Sequence, residues 1–225
     1  MARTPCIRAF LIILYRVILV DMSKYPYAGI ILAGGMNRRM SGQNKALLSV
    51  GDQSIVDRQI EMFEDLFEQV ILVTNQPLEF VSWDCTVVSD LLPIRSSLTG
   101  IHAGLFYTRP SHAFITACDM PFLKTEMIRL LVEELDPQWD VIVPVTKEGY
   151  QPLCAVYSKR CLKVIEDQLT KGDMKISRLY SRIKVKKIAE ERLRSIDPDL
   201  VSFFNINTQE DWTLSQKMKG SSADV

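Results

Sequence analysis

The chain is short of the patterns that most often announce a function. Its two histidines, His102 and His112, are isolated from one another and make no metal pair, so a structural or solvated role is expected for both. The five cysteines, Cys6, Cys85, Cys118, Cys154 and Cys161, are scattered, odd in number and without a CxxC. That argues against a disulfide framework or a zinc knuckle and suits a reducing cytoplasm. Neither charge is in excess: Lys and Arg number 27, and so do Asp and Glu. There is no chain-wide basic field to hold nucleic acid or an anionic membrane, so any anion site must be local. Internal repeats and low-complexity tracts are lacking as well, which removes repeat architectures.

Long apolar runs are equally scarce. Ala9 to Val20 is broken by Arg16 and falls short of the roughly 20 residues a spanning helix needs. With Arg3 and Arg8 ahead of it this run looks like the start of a secretion signal, but no small-x-small cleavage site follows before Asp21. Met22 then opens a polar stretch ahead of the first strand. Residues 1–21 are therefore read as an upstream translation-start artefact, with a membrane-touching helix as the alternative. Residues 22–218 are expected to form the domain and 219–225 a polar tail.

What is present is a core. Of the 225 residues 47% are hydrophobic and 24% charged, enough apolar surface to exclude wholesale disorder. Apolar β-rich runs at Ala28–Leu32, Val70–Thr74, Thr86–Val88, Ala113–Thr116 and Val141–Val145 read as buried strands. Between them Ser54–Phe67, Thr99–Tyr107 and Thr125–Leu135 carry apolar residues at three- and four-residue spacing and read as helices. Beyond Val145 the pattern predicts a turn at Lys147–Gly149, strands at Pro152–Tyr157 and Ile183–Ile188, and a helix over Lys159–Leu169. A strand-like segment at Phe203–Ile206 and a helix opened by Thr208 complete it. The alternation predicts an α/β fold: a single Rossmann-like three-layer domain, its mostly parallel sheet flanked by helices, with ligands outside the carboxyl ends of the strands.

Three of those strand ends carry candidate chemistry. The first strand runs into a loop with Gly34, Gly35 and Gly42 and the cations Arg38, Arg39 and Lys45. Glycines after a strand let the main chain approach an anion and aim N–H groups at it, and a polyphosphate is the expected ligand. It is not a Walker A loop, because Gly42 and Lys45 are separated and Ala46 follows, nor does Gly34-Gly35 extend to GxGxxG. A surface turn with solvated charges is the bland alternative. In Phe114–Pro121 the strand stops at Asp119, where a carboxylate could help hold Mg²⁺, a hard cation satisfied by one or two protein carboxylates; a turn-capping role is the alternative. Asp90 follows another strand and precedes the small-residue run Ser96–Ile101, a loop that could close over a ribose or base.

The stretch LAGGMNRRMSGQNKALL resembles the nucleotide loop of the MobA-like nucleotidyltransferases. Further matches follow in order: Val88–Leu105 resembles that family's D…GPLAGI segment, CDMP its CD-x-P, QPLCAVY its (E/Q)PL-x-A-x-Y, and Phe203–Thr208 its F-x-N-(I/V)-NT. Together they run from about Gly29 to Trp212, and the last two narrow the resemblance to the molybdenum cofactor guanylyltransferase branch. The resemblance implies a cytoplasmic enzyme that moves GMP from GTP to the phosphate of molybdopterin with Mg²⁺ and releases pyrophosphate, its product passing to molybdoenzymes. It implies nucleotide contacts at Leu32, Ala33, Gly34, Gly35, Lys45, Asn75, Asp90 and Asp119, catalytic roles for Lys45, Arg39 and Asp119, and a pterin side at Asn205 and Asn207. Two departures stand out: Asn44 replaces the usual Asp before the lysine, and Ser97-Leu98 after Ser96 replaces Gly-Pro-Leu. A cytidylyltransferase, a sugar-phosphate nucleotidyltransferase and a noncatalytic delivery module are the rival expectations.

Overall fold

The computed structural model describes residues 24–34 and 45–221. The leader and Gly35 to Asn44 lie outside them. The sheet contains eight strands, β1 (Tyr25–Leu32), β4 (Phe67–Val73), β5 (Thr86–Val88), β6 (His112–Ala117), β7 (Val141–Thr146), β8 (Gly149–Tyr150), β9 (Cys154–Ser158) and β10 (Val185–Ala189). Seven lie in the order β10-β7-β9-β6-β1-β4-β5, with β8 pairing β7. β2 (Ser49–Val50) and β3 (Gln53–Ser54) form a separate hairpin. β1 pairs in parallel with β4 and β6, β4 with β5, and β7 with β10, whereas β9 runs antiparallel between β6 and β7.

Both faces of the sheet are covered, so the central strands are apolar on both sides. On one face α1 (Ile55–Leu66), α3 (Thr125–Glu133) and α6 (Glu190–Arg194) pack over Ile31, Leu72 and Phe114. On the other, α2 (Ser97–Tyr107), α4 (Cys161–Thr170) and α5 (Ile176–Leu179) pack over Ile30, Ile71 and Ile115. The expected three layers are those observed, and α7 (Gln209–Ser221) adds a C-terminal helix against β2. No helix among the described residues is long and apolar enough to cross a membrane.

Local chemistry places the helices. Ser54 caps α1, its hydroxyl accepting from Asp57 N while the Asp57 carboxylate accepts from Ser54 N, a reciprocal box that fixes the helix start. Thr208 and Asp211 make the same exchange at α7. Gly29 permits the aromatic packing beneath the sheet: a Cβ there would lie 2.7 Å from Phe67 Cδ2 and 2.9 Å from Phe63 Cγ. Gly104 lets α2 settle onto Ile30 while Gly100 faces Leu32. Helix residue number therefore rises as strand residue number falls, which puts the N-terminus of α2 over the carboxyl end of β1.

One expected element differs. Phe203–Ile206 is not a strand: a 3-10 turn spans Val201–Phe203 and the chain then runs irregularly to Thr208. Its polar groups are satisfied by turns and by single bonds to other segments, not by a ladder, with Phe204 N donating to Val201 O and Ile206 N to Asp119 O. α7 also continues to Ser221, into the segment read as a polar tail.

Candidate active site

Four strands end in one row. Leu32 of β1 is opposite Val73 of β4 and Ala117 of β6, and Val73 is opposite Val88 of β5. The ladder continues one residue past each end: Ala33 N donates to Val73 O (2.8 Å), Thr74 N to Val88 O (2.8 Å) and Cys118 N to Leu32 O (3.0 Å). This is also where the chain order reverses, β4 and β5 lying on one side of β1 and β6 on the other. Ligands of open α/β sheets bind at such a switch point.

The loops leaving that row bring several of the expected residues together. Leu32 and Ala33 are buried and Gly34 is exposed. A Cβ on Gly34 would stand 3.7 Å from Asn75 Nδ2, so Gly34 lies directly beside the end of β4. Asn75 Nδ2 in turn donates to Asp90 Oδ2 at 2.7 Å, which joins the loops after β4 and β5. Asp119 follows β6, half-buried, with its Oδ1 shielded from solvent. It is not the cap of the next helix, since α3 is capped at Lys124 without any side-chain bond.

Arg38, Arg39, Gly35 and Asn44 lie outside the described residues, and the side chain of Lys45 is not described either. The main chain of Lys45 opens a 3-10 turn over Lys45–Leu47. Ala46 beside it is buried in the apolar cluster that also contains Ala33, Cys118 and Met120. Asn205 and Asn207 flank Ile206, whose N–H donates to Asp119 O at 2.9 Å, so both asparagines border the Asp119 turn. Asn205 Nδ2 donates to Phe203 O (2.9 Å), while the Asn207 main chain is held by Asp211 Oδ2.

The small-residue run from Ser96 to Ile101, read as a loop that could close over a ribose or base, is the cap and first turn of α2, which begins two residues before the helix expected from Thr99. Ser96 Oγ accepts from Thr99 N at 3.1 Å. The helix N-terminus thus faces the strand-end row, where the positive end of the helix dipole favours an anion. Next to it a cleft of about 540 Å³ is walled by Ser97, Glu148, Tyr150, Pro152 and Lys175.

The residues set aside behave as buried structure. His102 Nε2 is 3.1 Å from Glu166 Oε1, and His112 Nδ1 is 3.0 Å from Ser111 Oγ. Burial, with Arg160 nearby, lowers the His112 pKa. Cys85, Cys118, Cys154 and Cys161 are free thiols, and burial raises Cys85 to about 11.

Sequence reasoning passed over a set of buried polar anchors behind the row. Gln59 of α1 donates to Ala117 O and Met120 O. Asp197, fully buried, accepts from Lys124 Nζ (2.8 Å) and Ser202 N (2.8 Å). Burial would raise the Asp197 pKa, but the Lys124 ammonium and the Ser202 donors outweigh it and hold the carboxyl below its ordinary range. A polar residue on the apolar stripe of α1, between Val56 and Ile60, was the legible signal for Gln59.

By this geometry the protein is a doubly wound α/β protein with its crevice at a topological switch point. Comparison with known proteins narrows the class. The family model for the MobA-like NTP transferase domain matches residues 29–188, and the chain belongs to that family. It is 46% identical over 183 residues to a molybdenum cofactor guanylyltransferase of Desulfosudis oleivorans, covering 81% of this chain and 91% of that protein. A probable molybdenum cofactor guanylyltransferase of Natranaerobius thermophilus is 37% identical over 86% of this chain and 96% of its own length. The crystal structure of molybdopterin-guanine dinucleotide biosynthesis protein A from Archaeoglobus fulgidus superposes with a TM-score of 0.76 at 27% identity, covering 86% of this chain and 99% of that one.

Proposed function

We propose that this protein transfers GMP from GTP to the terminal phosphate of molybdopterin, giving the guanine dinucleotide and pyrophosphate. The likeness to the Desulfosudis oleivorans guanylyltransferase, over nearly its whole length, carries the reading. The convergence of Gly34, Asn75, Asp90 and Asp119 on one sheet edge supports it.

In this reading an oxygen of the acceptor phosphate attacks the α-phosphorus of GTP, and the bond from that phosphorus to the bridging oxygen breaks. Pyrophosphate leaves with the electron pair. The attacking oxygen is already ionised, so the protein supplies neither a nucleophile nor a base; it supplies position and positive charge. Ala33 and Gly34 bring main chain against the nucleotide, Asn75 and Asp90 hold the nucleoside as a pair, and Lys45 and Arg39 hold the triphosphate. Lys175 and the Tyr150 ring beside the N-terminus of α2 suit a flat, anionic acceptor, while Asn205 and Asn207 border the other side of the Asp119 turn.

The donor set fits Mg²⁺. A half-buried carboxylate at a strand end is a hard oxygen ligand, and Mg²⁺ takes one or two of these with phosphate oxygens and water. In this reading Asp119 would hold the cation together with the phosphate oxygens of the nucleotide. When bound it neutralises charge on the phosphates.

Turnover of GTP with molybdopterin and Mg²⁺, followed by pyrophosphate release and run against CTP, tests the reading. Transfer from GTP well above CTP is expected. Preference for CTP would favour the cytidylyltransferase alternative, and GTP binding without pyrophosphate release would favour a delivery module. The assay, and not the fold, decides the base.

A further inference from the structure

Gln59 lies on the inner face of α1 with Val56, Ile60 and Phe63 and is 2% exposed. A primary amide that deep among apolar side chains is costly unless hydrogen-bonded; here the NH₂ end is bonded while Oε1 is buried without a hydrogen-bond partner among the described residues. Its Nε2 donates to Ala117 O at 2.9 Å and to Met120 O at 3.2 Å, using both amide hydrogens. The orientation is settled by the partners: both are acceptors, so the NH₂ end must face them. Those two carbonyls bracket Cys118-Asp119. Cys118 N and Asp119 O are tied to β1 and to Ile206, but each of those bonds fixes a single point. Gln59 grips the turn on both sides of the carboxylate.

We propose that Gln59 is the positioning residue of the site, holding the Asp119 turn in the geometry that metal-bound nucleotide requires. A site of this kind works only when its ligand is held to within about 0.5 Å by supporting contacts. Gln59 touches neither nucleotide nor metal and acts through Asp119. The inference deepens the assignment of Asp119 made above and rests on it.

The test compares wild type, Gln59→Met and Gln59→Asn. The first keeps the volume and loses both donors; the second keeps the amide one methylene short of its partners. Mn²⁺ affinity of the GTP complex, measured by electron paramagnetic resonance, is expected to weaken about 10- to 100-fold in each, as loss of supporting contacts around a ligand does. In turnover, kcat at fixed metal falls and the Mg²⁺ requirement rises, while the GTP KM at saturating Mg²⁺ stays within about 3-fold, because uniform nucleotide binding is untouched. Ile60→Val, on the same helix face, is the control: it lowers stability and leaves the metal requirement unchanged. Either folded Gln59 variant binding Mn²⁺–GTP within about 2-fold of wild type overturns the proposal, and so does failure of both to fold, which would make the role purely structural. If wild type binds Mn²⁺–GTP but transfers no nucleotide, the guanylyltransferase reading fails and the Gln59 comparison still stands. If wild type binds no Mn²⁺–GTP, both fail.

Discussion

Asp119 and Lys45 make opposite demands on their surroundings. The carboxylate sits half-buried at a strand end, positioned by a turn that the core holds from behind. The lysine opens a short 3-10 turn whose next residue, Ala46, is buried in the core. If both act on the triphosphate, removing either leaves the fold intact and the reaction impaired. Asp119→Ala and Lys45→Ala are each expected to lose about 10² to 10³ in kcat, the usual cost of one preorganised electrostatic group. The far-ultraviolet circular dichroism should match wild type, and near-normal turnover by either folded variant would remove its assigned role. Asn75 and Asp90 share one hydrogen bond and so should behave as a unit. Asn75→Ala and Asp90→Ala together should weaken GTP binding by less than the product of the two single effects.

At the scale of elements, β1 carries both the site and the packing that supports it. Its alternate residues feed the two cores, Ile31 to one and Ile30 and Leu32 to the other, and Gly29 leaves room for Phe63 and Phe67. Those rings stack edge-on at 5.3 Å between centroids, and each also meets Phe114 of β6. A methyl at Gly29 cannot be accommodated without moving a fully buried ring. Gly29→Ala should therefore cost about 1–3 kcal/mol, the range for overpacking, measured as a lower urea midpoint with an unchanged m-value. An unchanged midpoint would show that the rings yield freely. The strands and helices were well read along this region because a strand buried on both faces is a continuous apolar run and a half-buried helix repeats at three and four residues. Phe203–Ile206 was misread for the same reason: an apolar run says buried, and burial is common to strands and to irregular segments pinned by single hydrogen bonds.

Across the whole molecule, the C-terminal third is fastened to the site by polar contacts as well as by the core. Lys124 and Asp197 join the loop after β6 to the segment that leads into Asn205, and Lys124 N also donates to Ser202 Oγ. The Asp197 carboxyl is held below its ordinary range, so the ionised form favours the folded state. Its contribution is complete above the unfolded aspartate pKa of about 3.9 and is lost as pH falls through the lower folded value. Asp197→Asn should therefore be less stable than wild type at neutral pH, and the gap should close in urea titrations taken into acid. A gap independent of pH would exclude this ion pair as its source. Farther along, Trp212 Nε1 (3.3 Å) and Gln216 Nε2 (2.6 Å) both donate to Ser49 O, so α7 also secures the hairpin of β2 and β3.

The fold class and the identity of the chemistry were legible in the sequence, because periodicity reports burial and because LAGG, CDMP, QPL and FFNINT are local strings. The strand-end aspartate was visible for the same reason: an apolar run that stops at a carboxylate is a one-dimensional feature. What only the tertiary structure decided was which distant residues meet. The antiparallel insertion of β9, the joining of Asn75 to Asp90, and the hold of Gln59 and Asp197 on neighbouring loops all depend on pairings between segments far apart in the chain. A hydrogen bond across such a separation leaves no period in the sequence, only a polar residue where an apolar one would be expected.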